Sequence, residues 1–234
     1  MDQHASIRGA AIRGAAIDEI AWRISPGFTD YAEAVATMQG LAADIAARRA
    51  AETVWLVEHQ PIYTGGTSAR AADLLGTNAI PAARTGRGGQ WTYHGPGQRI
   101  GYVMLDLNRA HGTVPARDVR CFVAGLERWL ILTLAQFGIE GETRDGRVGI
   151  WVRDPVRRTE NKIAAIGVRV SRWVSYHGIA LNVAPNLGHY QGIIPCGLSE
   201  HGVTSMAALG VGASMAAVDD ALRTQFAVVF GTDH

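Results

Sequence analysis

Lysine is nearly absent from this chain. Of its 22 basic residues one is lysine, Lys162, and the others are arginine. Either side chain supplies charge, but only the ammonium gives up its proton readily. The one position that keeps lysine is therefore a candidate for chemistry. Cysteine is scarce too, with only Cys121 and Cys196. Two thiols exclude a disulfide framework and leave at most one bridge, so a reducing cytoplasm is the natural home. No apolar run approaches the roughly 18 residues that would span a membrane. The opening M-D-Q-H-A-S-I-R-G-A lacks the basic-then-apolar layout of a secretory signal. A net charge of +1 gives no bulk attraction to nucleic acid. H-x₃-H, C-x₂-C and H-E-x-x-H spacings are missing, as are G-x-x-x-x-G-K-[ST] and a strand-coupled G-x-G-x-x-G. Those absences argue against a metal site and the common nucleotide loops.

Glycine, by contrast, is concentrated where it counts. The run Gly86–Gln98 reads G-R-G-G-Q-W-T-Y-H-G-P-G-Q, with five glycines and one proline in 13 residues. A backbone with so few β-carbons can approach a ligand closely and aim N–H groups at it. Gln90-Trp91-Thr92-Tyr93 has the composition of a short strand, and Pro96 between two glycines fixes a turn after it. The run reads as a ligand-binding wall.

Apolar residues make up 47% of the 234 and charged residues 18%, the balance of a globular chain with a proper core. Residues 1–18, with a duplicated I-R-G-A-A, read as a flexible leader, and residues 19–234 as a single domain. Ala21–Ser25 reads as a strand ended by Pro26-Gly27, and residues 31–51 as a helix with Tyr31, Val35, Met38, Leu41 and Ile45 inward. Thr53–Glu58 is a buried strand, Ile62–Ser68 a loop, and residues 72–75 a short helix. Arg99–Leu107 is the next strand. Pro115–Phe137 is the clearest helix, with Pro115 in its first turn and Gly138 at its end. Val148–Val152 is a strand and Arg153–Glu160 an arginine-rich turn. Lys162–Val170 and Trp173–Val183 form a hairpin turning at Ser171-Arg172. Helices follow at Thr204–Leu209 and Ser214–Phe230, the latter with Asp219 and Asp220 placed to charge its start. Strands and helices alternate irregularly, which predicts an α+β domain with a mixed, largely antiparallel sheet flanked by helices.

Cys196 sits in P-C-G, where a rigid and a permissive neighbour present the thiol on a turn. Cys121 lies in an amphipathic helix as core or flank. A free thiol, with pKa ~8.5, is only a few per cent thiolate at neutral pH, so a nucleophilic Cys196 needs a cationic neighbour. Lys162 is the best candidate. An ammonium ~4 Å from a thiolate at an effective dielectric of ~20 is worth about 4 kcal/mol before desolvation. His94 and His177 each precede a glycine and could position substrate or act as base.

In order and spacing, G-R-G-G-Q-W-T-Y-H-G-P-G-Q, K-I-A-A-I-G-V-R, Y-H-G-I-A-L-N-V and P-C-G-L, with E-H-Q-P-I-Y-T-G-G before them, resemble the lipoyl(octanoyl) transferases. The resemblance runs from about Trp55 to Leu198. It implies the fold of the lipoate and biotin protein ligases and transfer of an octanoyl group from octanoyl-acyl carrier protein to a lipoyl-domain lysine. The acceptors it implies are lipoyl domains of 2-oxoacid dehydrogenase E2 subunits and the glycine cleavage H protein. By that match Cys196 takes the acyl group and Lys162 lowers its pKa. Acyl-binding positions fall on Arg87, Gly88, Gly89, Gln90, Trp91, Thr92, Tyr93 and His94, on Ala165, Ile166 and Gly167, and on Gly178, Ile179 and Ala180. Trp91 stands where a smaller residue is common and is expected to reshape the acyl pocket. No cofactor or metal is required, because a thioester arrives activated. Two rival readings remain: an ATP-dependent lipoate or biotin ligase of the same fold, which would need no essential thiol and against which the Cys196–Lys162 pair argues, and a non-catalytic acyl-binding protein. The leader is expected to be dispensable: a chain starting at Asp18 should keep its thermal midpoint and transfer rate, and a large loss of either would show that residues 1–17 dock on the body.

Overall fold

Apolar side chains alternate along the central strands, and that alternation sorts three helices onto opposite faces of one sheet. The computed structural model describes residues 20–76, 79–153, 159–194 and 202–231. In chain order they form β1 (Ala21–Thr29), α1 (Tyr31–Ala46), β2 (Thr53–His59), β3 (Ile62–Gly65), β4 (Ala82–Arg84), β5 (Trp91–His94) and β6 (Gln98–Met104). Then come α2 (Val119–Ala135), β7 (Ile150–Arg153), β8 (Glu160–Ser171), β9 (Val174–Asn182), β10 (Gly202–Val203) and α3 (Met215–Phe230). The leader, Cys196 and most of the arginine-rich turn lie outside the described residues.

The main sheet has the order β1-β2-β6-β9-β8-β10, with β7 also paired to β8. Its β2–β6, β6–β9, β8–β9 and β7–β8 pairs are antiparallel, and its β1–β2 and β8–β10 pairs are parallel. Val54, Leu56, Val103, Leu105, Ile179 and Leu181 face α2 and α3, against Phe122, Trp129 and Phe226. The intervening residues Trp55, Val57, Ile100, Tyr102, Met104 and Ala180 face α1, against Ala34, Met38 and Ile45. A small sheet, β4-β3-β5, carries a third cluster around Tyr63, Trp91 and Tyr93. The mixed, mostly antiparallel α+β architecture is the expected one. No helix among the described residues is long and apolar enough to cross a membrane.

Several boundaries differ from expectation, each for a local reason. β1 continues through Pro26 and Gly27, because its register shifts between Ile24 and Phe28 and leaves the proline in an irregularity on an outer strand. α1 stops at Ala46, two residues before Arg48 turns left-handed at φ 55°. Ile62–Gly65, expected in a loop, pairs on both sides with β4 and β5. Pro115 precedes α2 rather than opening it; the cap is Asp118, whose carboxylate accepts from the Cys121 N–H at 2.8 Å. The hairpin turns one residue later than expected, at Arg172 and Trp173. Both have positive φ (51° and 63°), as a tight turn between twisted strands requires.

Asp219 does not charge the first turn of α3, which is capped by Ser214. It is buried against Arg99 of β6, with Nε 2.7 Å from Oδ1 and Nη2 2.9 Å from Oδ2. This pair pins α3 to the sheet, although burial holds the Asp219 carboxyl above its ordinary range against the pull of Arg99. Removing one partner leaves the other charge buried alone. Asp219→Ala should therefore destabilise the fold by about 3–5 kcal/mol in urea unfolding, well beyond a surface Asp44→Ala control; equal effects would show that the pair is replaceable by solvent.

Candidate active site

Four small residues open a trough in the α1 face of the main sheet. Ala165 lies opposite Ala180, and Gly167 opposite Gly178, across the β8–β9 pair. Gly178 allows nothing larger, since a Cβ there would come within 2.1 Å of the Gly101 carbonyl oxygen on β6. The glycine-rich segment lies over this trough, with the Gly88 N–H donating to the Val168 carbonyl at 3.0 Å. Gly167 makes that approach possible, because a Cβ would meet Arg87 at 3.1 Å and the Gly88 carbonyl at 3.2 Å. Arg87 holds the segment from inside. Its Nη2 donates to the Thr64 carbonyl and hydroxyl at 2.5 and 2.9 Å and to the Gln90 carbonyl at 3.0 Å.

The cavity between the segment and the trough is about 380 Å³, a volume suited to a small ligand. Arg87, Gly89, Gln90, Trp91, Thr92 and His94 line it from the segment and β5, and Ala165, Ile166, Gly167, Gly178, Ile179 and Ala180 from the sheet. Lys162 stands beside it with Gly146, Arg147 and Val148; Tyr31, Ile100, Tyr102 and His177 complete the wall. Of the residues expected here, Gly88 and Tyr93 are not on the lining. Tyr93 points to the small sheet's own cluster, where its hydroxyl meets His189 Nδ1 at 2.8 Å. Trp91 reaches the lining, yet its ring packs on Gly65, its Nε1 donates to the Arg70 carbonyl at 2.8 Å, and Arg84 lies over it.

Lys162 is 93% buried, and its Nζ donates to the Val148 carbonyl at 2.9 Å while lying 4.8 Å from the centre of the Trp151 ring. Lys162 also anchors the strand that resumes after the undescribed stretch: its register partner on β10 is Val203, and the Thr204 N–H donates to its carbonyl. Cys196 lies in that stretch, 195–201, outside the described residues. Cys121 is exposed and free, and the carboxylate of Asp118 pushes its thiol up, the opposite of what a nucleophile needs. Among the described residues no group of three or more His, Cys, Asp or Glu is arranged to hold a metal ion.

Three buried imidazoles border the cavity or back its wall. His59 Nδ1 meets the Thr29 carbonyl at 2.7 Å and so carries the proton; its Nε2 then accepts from the Tyr102 hydroxyl at 2.6 Å. His94 Nδ1 donates to Gln98 Oε1 at 2.7 Å, because Gln98 Nε2 is oriented by Asn182 Oδ1 and the Tyr93 carbonyl. Burial pushes His59 down, His94 to about 3 with help from His59, and His177 to about 4 with help from Arg87. Tyr31, Ile100 and Tyr102 escaped the sequence reading because each also fits a helix or strand core position. His177 had a visible signal, its place before Gly178, and here it has a positive φ of 60°.

Residues 30–227 match the family profile of the lipoyl protein ligase A/B catalytic domain. An octanoyltransferase of Acidiphilium cryptum is 68% identical over 211 residues, covering 90% of this chain and 92% of its own. One from Paracoccus denitrificans is 57% identical, covering 88% and 95%. Among solved structures, that of a bipartite lipoate protein ligase and its lipoyl domain from Thermoplasma acidophilum superposes with a TM-score of 0.64 at 17% identity, covering 92% of this chain and 85% of the other. Lipoate-protein ligase A bound with ATP gives 0.61 at 17% identity, covering 89% and 85%.

The neutral imidazoles make a prediction. On unfolding, His94 and His177 regain the ordinary value of 6.5, so between that pH and their folded values of about 3 and 4 the unfolded chain binds more protons. Their contribution is complete above pH 6.5 and is lost as pH falls through this window. The unfolding free energy in urea should drop over that range, and His94→Gln should reduce the slope by up to about 1.4 kcal/mol per pH unit; an unchanged slope would show that His94 titrates normally.

Proposed function

We propose, because this chain belongs to the lipoyl protein ligase A/B catalytic-domain family, that it moves an octanoyl group from octanoyl-acyl carrier protein to a lipoyl-domain lysine through a thioester on Cys196. The enzyme is an acyltransferase, as its octanoyltransferase relatives are. The observation that carries the finer reading is the cavity itself. It is floored by small and aliphatic residues, flanked by imidazoles kept neutral, and bordered by the chain's only amine side chain. An eight-carbon tail suits such a lining, and the amine stands where a carbonyl would be handled.

In the first step the Cys196 thiolate attacks the donor's thioester carbonyl. A carbon–sulfur bond forms, the oxyanion collapses, and the carrier's thiolate leaves with the proton of the Lys162 ammonium, which becomes the amine used in the second step. In the second step the acceptor amine attacks the acyl-enzyme, the amide forms, and the Cys196 thiolate is released. Lys162 supports both steps: its ammonium favours the thiolate, and its amine form accepts the proton lost by the incoming nitrogen. Backbone N–H groups of the glycine-rich segment would stabilise the oxyanion. The acceptors are lipoyl domains of 2-oxoacid dehydrogenase E2 subunits and the glycine cleavage H protein, in the cytoplasm. A thioester donor is already activated, so no nucleotide enters. An ATP-dependent ligase of the same fold would need one, and paired assays with and without ATP separate the two.

Cys196→Ser should abolish the octanoyl adduct seen by intact-protein mass spectrometry, whereas Cys121→Ser should keep it. Lys162→Ala should slow alkylation of Cys196 at neutral pH. Lys162→Arg should preserve fast alkylation but lose transfer, since guanidinium keeps its proton. An unmodified wild-type mass after mixing with octanoyl carrier would sink the covalent mechanism, and a fully active Lys162→Arg would reduce the lysine to a charge partner.

A further inference from the structure

We propose that Tyr31 is the end stop that sets the length of the acyl chain, an inference that rests on the acyl-transfer reading above. In sheet order the cavity begins beside β8 at Lys162, crosses β9 at Ala180 and β6 at Ile100, and meets Tyr31 at the start of α1. Lys162 lies three residues before Ala165, whose partners across the sheet are Ala180 and then Ile100. With strands about 4.8 Å apart and about 3.3 Å per residue the backbones are roughly 14 Å apart, part of which the long Lys162 side chain takes up where it lines the cavity. A chain whose carbonyl lies beside Lys162 therefore crosses β9 and brings its last carbons to the Tyr31 ring.

The stop is stiff. Tyr31 is buried, lies edge-on to His59 with ring centres 5.3 Å apart, and stacks on His94 at 6.1 Å and 20°. Both imidazoles are held by hydrogen bonds, His59 by the Thr29 carbonyl and the Tyr102 hydroxyl, and His94 by Gln98. Displacing the ring means breaking those bonds or leaving a rotamer in a packed wall. The Tyr31 hydroxyl is buried with no hydrogen-bond partner among the described residues, so ring packing rather than a hydrogen bond holds the side chain. Trp91, expected to reshape the acyl pocket, also lines the cavity, but its ring lies against Gly65 and its Nε1 donates to the Arg70 carbonyl on the small sheet, whereas Tyr31 stands at the start of α1.

The test measures transfer to a lipoyl domain from octanoyl-, decanoyl- and dodecanoyl-acyl carrier protein by wild type, Tyr31→Val and Tyr31→Phe. Tyr31→Val should raise the ratio of dodecanoyl to octanoyl transfer by about tenfold or more, as several methylenes gain room. Tyr31→Phe keeps the ring and should keep the wild-type length profile. Each ratio is taken within one preparation, so a reduced folded fraction cancels. If the valine variant yields no protein, Tyr31→Leu should shift the ratio in the same direction. A wild-type ratio in the aliphatic variant, or an equal shift in Tyr31→Phe, overturns the end stop. Wild-type enzyme inert toward all three donors overturns the acyl-transfer reading, and the end stop with it.

Discussion

The close approach of a glycine-rich backbone to a sheet requires that the sheet have no side chains in the way. Here the requirement falls on Ala165, Gly167, Gly178 and Ala180, two register pairs on adjacent strands. A larger residue at Gly167 would press on Arg87 and the Gly88 carbonyl, one at Gly178 would clash with the Gly101 carbonyl, and larger side chains at the four positions would fill the trough. Everything else about the site follows from that clearance. Arg87 ties the segment to β3 from within, and the large side chains stand around the clearance, Lys162 of β8 at one side and Tyr102 of β6 with Tyr31 of α1 at the other. A cavity made by deletion keeps its shape because its floor is backbone, which moves less than rotamers do.

The electrostatics of the site divide along the same line. At the β8 side a carbonyl oxygen and an indole face hold a cation. At the α1 side burial keeps imidazoles neutral, with protons assigned by carbonyl acceptors. A molecule with a reactive polar head and an apolar tail matches that division, and a molecule charged at both ends does not.

Much of this was legible in the sequence, and the reasons are local. The hairpin of β8 and β9, the glycine-rich wall and the helical period of α2 are each carried by neighbouring residues. Lys162 announced itself by being the only lysine. Lost were features set by distant partners. The strand at Ile62–Gly65 exists because β4 and β5 flank it, and Asp219 is buried because Arg99, 120 residues away, meets it. Tyr31 and Tyr102 looked like core, and they are core; their second role comes from bordering space that four other residues vacate. The orientation of Trp91 depended on Gly65 across the β3–β5 pair, which no local pattern encodes.

The irregularity in β1 has a bearing on how the protein behaves in a crowded solution. β1 ends the main sheet, and it exposes Ile24 at 57% and Phe28 at 48%. A straight outer strand with such side chains would invite a second chain to add its own strand and start an aggregate. Pro26 removes one N–H donor in the middle of that edge, and Gly27 at φ 65° breaks its straight run. The two apolar side chains are thereby kept on separate short segments, neither long enough to template an incoming strand.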